Sequence, residues 1–264
     1  MPLDLLPAFL MAALACWLGL SLLVRSPRDR AARSFAWLSL HLTIYALAIV
    51  LGRLTRSPLI VQPVVHRIEI VEIVLLPPVF LQFIIVITAV PRLVRFQQIA
   101  LIVAYAVGIA MAIYALLSPY MILISPPRYP EGPLVLVALL QRAVPLLFAL
   151  ALTLLRYRQA SDDHQERQRR GVFAIASLIA ISGALLASVA RELDFIQSPG
   201  HLLMDVGLAM LAYMVLAYQM LLPIRVARRT FYRSLLGGVF TALYIMLLCC
   251  WSHCSARHWR LIRP

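Results

Sequence analysis

Four charged residues stand inside stretches of this sequence that are otherwise apolar. Glu69 and Glu72 lie in IEIVEIVLLPPVFLQFIIVITAV, Arg142 in LVLVALLQRAVPLLFALALTLL, and Asp205 in LLMDVGLAMLAYMVLAYQMLL. A charge at the centre of a lipid-crossing helix costs about 2.5–3.5 kcal/mol on insertion scales, so such groups are expected to face a partner or a ligand. Glu69 and Glu72 are three residues apart, which places both carboxylates on one helix face, about 60° apart. Arg191, Glu192 and Asp194 close the end of another apolar run. Glu72 and Arg142 form the best candidate pair within a cluster of Glu69, Glu72, Arg142, Asp205 and Arg191. The cluster reads either as a polar cavity that binds a small ligand or as a structural ion pair that locks helices together. His66, Glu69 and Glu72 have metal-ligand types at helical spacing but lack a third firm ligand, so no metal is expected. Cys249, Cys250, His253, Cys254 and His258 near the end of the chain lack a recognised two-pair zinc spacing.

Other chemistry is not signalled. No phosphate-binding glycine loop, HExxH motif, nucleophile elbow or CxxCH haem site occurs, so no catalytic residue and no cofactor are expected, and the chain reads as a non-enzyme. The net charge of +13 comes from arginine without lysine, in short links between apolar runs. That distribution argues against nucleic acid and for the positive-inside rule.

The elements that must position the cluster are membrane helices. The 264 residues are 62% hydrophobic and 13% charged, against about half apolar and a quarter charged in soluble domains. Eight apolar runs stand out: Leu5–Val24, Ser34–Leu51, Ile68–Val90, Ile99–Leu117, Leu134–Leu155, Val172–Ala190, Leu202–Leu222 and Leu235–Trp251. The first seven have bilayer-spanning length. The expected fold is all-α, a polytopic membrane bundle of seven transmembrane helices plus a short eighth candidate. Residues 1–222 form the seven-helix domain, and 223–264 hold a basic link, the eighth candidate and a tail of atypical composition. Pro77 and Pro78 remove the donors for the carbonyls of Ile73 and Val74, which predicts a kink in the third helix. Ala104, Gly108 and Ala112, and Ala176, Ala180, Ala184 and Ser188, recur every fourth residue and predict close helix packing within the bundle.

Links alternate in charge. Four of them, at 25–33, 91–98, 156–171 and 223–234, hold 15 arginines, and the three between them hold five. The bias puts the first set in the cytoplasm and the N-terminus outside. On that topology the charged in-span residues fall in the outer half, with Glu69 and Glu72 near the outer end of the third helix. The inner half keeps neutral groups such as His41 and Gln82. An eighth span would export Arg257, Arg260 and Arg263, so the last run is expected to be truncated, altered or re-entrant.

Leu75-Leu76-Pro77-Pro78-Val79-Phe80-Leu81-Gln82-Phe83, followed by Thr88, resembles a proline-containing helix of the seven-transmembrane N-terminal sensor region of bacterial histidine kinases. That family has the form Leu-x-Pro-Pro-x-x-Leu-x-Phe, and the resemblance extends over roughly Leu5 to Pro223. Glu72 stands where the family often has a small residue. The dimerisation helix with its phospho-accepting histidine, and the ATP-binding domain, are not present. The resemblance implies a signal-transducing sensor module in a bacterial cytoplasmic membrane, taking an unknown small ligand on the extracytoplasmic side. Its partners would be the lipid bilayer and a second copy or other membrane subunits. The alternatives are an accessory subunit of a larger, energy-transducing membrane complex and, less favoured, a small carrier.

Overall fold

The computed structural model describes residues 5–54, 61–88, 93–117, 133–159, 164–192, 198–219 and 235–241, with positions 232 and 244. Among these, every regular element is helical and no strand occurs. Seven helices form the body: α1 (Leu6–Arg25), α2 (Arg30–Leu54), α3 (Val61–Thr88), α4 (Val94–Leu117), α5 (Pro133–Arg158), α6 (His164–Glu192) and α7 (Ser198–Gln219). The first six are long and apolar enough to cross a membrane, whose hydrocarbon core is about 30 Å thick. The chain is therefore a multi-pass membrane protein. Over its described side chains α7 carries a shorter apolar stretch, Pro199–Val215. Of the eighth run, 235–241 is helical. It packs on α1, with Trp17 Nε1 donating to Thr241 Oγ1 at 3.0 Å. The cysteine and histidine cluster of the tail lies outside the described residues.

Two helices begin seven or eight residues before their apolar runs. α3 starts at Val61 rather than Ile68, because the polar turn around His66 and Arg67 continues the helix and Pro63 falls in its first turn, where proline is tolerated. α6 starts at His164 rather than Val172, so the polar link expected over Arg156–Gly171 is largely helix. Gln, Glu and Arg are good helix formers, and Glu166 pairs with Arg170 one turn on. The α1–α2 connection is a tight turn. Asp29 caps α2 by accepting the Ala31 N–H at 2.8 Å, and Ser26 N–H closes α1 on Leu22 O at 2.9 Å.

Helices α1, α2, α3, α5, α6 and α7 close a ring in that order, and α4 stands outside it against α3 and α5. An aromatic cluster, Phe35–Phe83 (centroids 5.6 Å apart) with Phe173 beyond at 6.5 Å, fastens α2, α3 and α6. α4 turns Ala104, Gly108, Ala112 and Ala115 inward, while Ile102, Val103, Ile109 and Ile113 are exposed, as a lipid-facing helix requires.

Small residues set the α6–α7 distance. A Cβ on Gly200 would lie 2.5 Å from Ala187 N, one on Gly207 2.6 Å from Ala180 N, and one on Gly183 2.6 Å from Met204 N. The expected small-residue stripes thus serve packing inside this bundle. Gly207→Val should destabilise the protein by about 1–3 kcal/mol, since the extra carbons meet backbone rather than a movable side chain. Gly171→Ala should be neutral, because its Cβ would only touch Tyr157 at 3.4 Å. Thermal unfolding in detergent compares the two. Equal melting would refute the close α6–α7 contact.

Candidate functional site

α3 starts at Val61, so at 1.5 Å per residue Glu72 lies about 16 Å along the helix, one turn into the apolar run that begins at Ile68. Its partner differs from the one expected. Glu72 accepts a hydrogen bond from His41 Nδ1 at 2.6 Å, both side chains being buried, so its partner is His41 rather than Arg142. His41, which sequence alone placed in the other half, thus joins the polar cluster at Glu72. Its ring is held edge-on by Trp37, centroids 4.7 Å apart. Glu69 faces His66 one turn earlier, Nδ1 to Oε2 3.4 Å, as their spacing predicts. Among the described residues no three His, Cys, Asp or Glu side chains converge as a metal site.

α3 runs as one helix through Pro77 and Pro78. Its neighbours explain why the double proline is tolerated. Gln141 of α5 reaches to the Val74 carbonyl, which Pro78 deprives of its donor, with Nε2 at 3.5 Å. The same Nε2 donates to Ala104 O of α4 at 2.8 Å. The helices come this close because Gly108 lacks a side chain; a Cβ there would lie 3.1 Å from Val74 O. Neighbouring groups commonly re-satisfy a proline-freed carbonyl in a membrane helix. Gln141 was not singled out from sequence, although a glutamine beside an intramembrane arginine is a signal of the same kind.

Pro77 borders an interior cavity of about 80 Å³ between α2, α3, α5, α6 and α7. Its wall is apolar, made by residues such as Leu42, Ile73, Phe80, Ala184 and Leu208. Tyr45 and Ser188 supply hydroxyls, and Arg142 is the one charged lining residue among those described. Arg142 itself is only 3% exposed. Tyr45 stands one turn from His41 on α2, and its hydroxyl lies 3.4 Å from His201 Nε2 on α7. Glu72 does not line the cavity but adjoins Ile73 and lies one turn from Leu76, which do.

Asp205 is buried one turn beyond His201, between the cavity-lining residues Met204 and Leu208. Because α7 starts at Ser198, Asp205 lies about 10 Å along the helix, two turns in from its start. Neither carboxylate oxygen has a hydrogen-bond partner among the described residues. Arg191 belongs to the last turn of α6, but its side chain lies outside the described part, as does Asp194 altogether.

Five helices therefore deliver polar groups to one level of an apolar bundle: His41 and Tyr45, Glu72, Arg142, Ser188, and His201 with Asp205. The arrangement can hold a small, mostly apolar molecule and orient one anionic or hydrogen-bond-accepting group on Arg142. Comparison with protein-family models, with characterised proteins and with solved structures returns no match to this chain.

Proposed function

We propose that this chain is a seven-span sensory module of a bacterial cytoplasmic membrane, with its N-terminus outside. In this proposal it binds a small, largely apolar ligand in the central cavity. The observation that carries the reading is Arg142, a buried guanidinium on the wall of an apolar cavity that also touches the double proline of α3. Ligand sites are typically apolar with a few placed polar groups, and buried membrane charges mark such sites. The arginine bias of the links supports the orientation. The LLPPVFLQF stretch, similar to the sensor region of histidine kinases, supports the sensory role. Binding would bias α3 against α6 and α7 to the extent that the ligand prefers one packing over another, and the arginine-rich end would pass the change to a partner.

Native mass spectrometry of the protein extracted from its own membrane tests this. A single small molecule should be released on activation, and Arg142→Gln should lower its occupancy at least tenfold while leaving the melting temperature within a few degrees. Arg142→Lys should retain part of it, because the charge persists without the guanidinium geometry. Equal occupancy in wild type and Arg142→Gln would refute the reading. Other polypeptides bound in fixed ratio, with no small molecule, would make the chain an accessory subunit instead.

A further inference from the structure

A second cavity, of about 310 Å³, lies at the arginine-rich end of the bundle, beyond the charged cluster of the first. α3 and α5 finish here and α6 begins. Its polar wall is made by Thr88, Thr153, Arg156, Tyr157, Glu166 and Arg170. Arg170 is fixed in place: it donates to the Glu166 carboxylate and, through Nη1, to the Arg156 carbonyl at 3.1 Å. Arg156 is half-buried beside it, and no carboxylate among the described residues forms an ion pair with it. Among the described residues, two guanidinium-bearing residues thus border the cavity with one carboxylate, which leaves an excess of positive charge where partial burial makes it costly. The first turn of α6, which carries Glu166, adds the partial positive charge of a helix N-terminus.

The hydroxyls have a division of labour that suits an anion with several oxygens. Thr88 and Thr153 donate to the carbonyls one turn back, Ile84 O and Ala149 O, both at 2.8 Å, so each hydroxyl proton is already used. The phenol of Tyr157 and the guanidinium of Arg156 make no hydrogen bond of their own to any described residue and remain as donors. The opposite wall is apolar, with Phe173 and Met214 leading into the bundle. Arginine matches phosphate oxygens two at a time, and basic pockets between membrane helices on the arginine-rich side suit phosphorylated headgroups.

We propose that this cavity is a phosphate-ester site, with Arg156 as the principal ligand and Tyr157 as a second donor. The phosphate would come from the headgroup of an anionic phospholipid or from a free phosphate compound. The site is independent of the central cavity and of the sensory reading.

The test uses the full chain in detergent, titrated with phosphatidylglycerol and with phosphatidylcholine and followed by native mass spectrometry. Competition by inorganic phosphate and direct binding of phosphate alone complete the set. Wild type should hold one phosphatidylglycerol about tenfold more tightly than phosphatidylcholine, and Arg156→Gln should abolish that preference. Arg158→Gln removes the same charge from an exposed position that does not line the cavity, and should preserve it. Tyr157→Phe keeps the ring and should weaken binding two- to threefold, a readout that survives if Arg156→Gln fails to fold. Displacement by millimolar phosphate, together with direct phosphate binding, would identify a free phosphate compound as the source; lipid preference without displacement would identify the headgroup. Loss of equal size in Arg156→Gln and Arg158→Gln would overturn the site in favour of general surface charge. Unchanged binding in both Arg156→Gln and Tyr157→Phe, or no preference in wild type and no phosphate binding, would overturn it outright.

Discussion

Replacing Glu72 by leucine should destabilise the bundle by about 3–5 kcal/mol, and adding His41→Phe in the same chain should restore most of that loss. The reasoning starts from the 2.6 Å contact between His41 Nδ1 and Glu72 Oε2, buried at the α2–α3 seam. Removing one member leaves the other's polar atoms without a partner in a dry environment, and that unmet demand is the larger part of the penalty. It is sharpened here because His41 Nε2 already has no hydrogen-bond partner among the described residues, so the ring cannot fall back on a second bond. Replacing both residues by apolar ones removes the demand altogether. The phenyl ring introduced by His41→Phe can also keep the edge contact that His41 makes with Trp37. The measurement is a double-mutant cycle of denaturant unfolding in mixed micelles. Additive single effects would mean that the pair is not coupled and that Glu72 has another role. The cycle also separates this pair from Arg142: Glu72→Leu should not change the effect of Arg142→Gln on stability by more than about 0.5 kcal/mol.

That pair also shows where sequence reasoning stops. The helices were legible because lipid demands long apolar runs, and the six long spans follow the hydropathy pattern with their order intact. The stripes through Gly108 and Ala180 were legible for a similar reason, since a repeat of four on a helix fixes which face is narrow. Helix ends were not, because hydropathy marks where apolar residues stop and not where the helix stops. α3 continues through His66 and Arg67, and α6 through its Gln- and Arg-rich first turns. Partner choice was the second loss. Charge complementarity favoured Arg142 for Glu72, but α3 lies between α2 and α5 in the ring, and Glu72 meets His41 on the α2 side. No local property of HLTIYAL announces that neighbour. Gln141 escaped notice for the same reason: its role depends on a carbonyl that Pro78 frees on a different helix.

Asp205→Leu should make the protein more stable, by about 2–3 kcal/mol, while Asp205→Asn should fall between leucine and wild type. The carboxylate is 3% exposed and has no hydrogen-bond partner for either oxygen among the described residues. Leucine is favoured over aspartate by about 3 kcal/mol or more at the centre of a membrane helix, and the position of Asp205 two turns in from the start of α7 reduces that somewhat. Stability gained by deleting a polar group is the usual mark of a residue kept for another purpose. Met204 and Leu208, on either side of it, line the central cavity, and His201 one turn away reaches Tyr45 on the same wall. If the carboxylate serves the ligand, Asp205→Leu should be both more stable and less able to retain the molecule released from wild type, with stability and occupancy moving in opposite directions. A destabilised Asp205→Leu would show instead that the carboxylate is held by a compensating bond and belongs to the scaffold. Because the Glu72 and Asp205 substitutions then have opposite signs, the two together distinguish the charges that build this bundle from those that it tolerates for function.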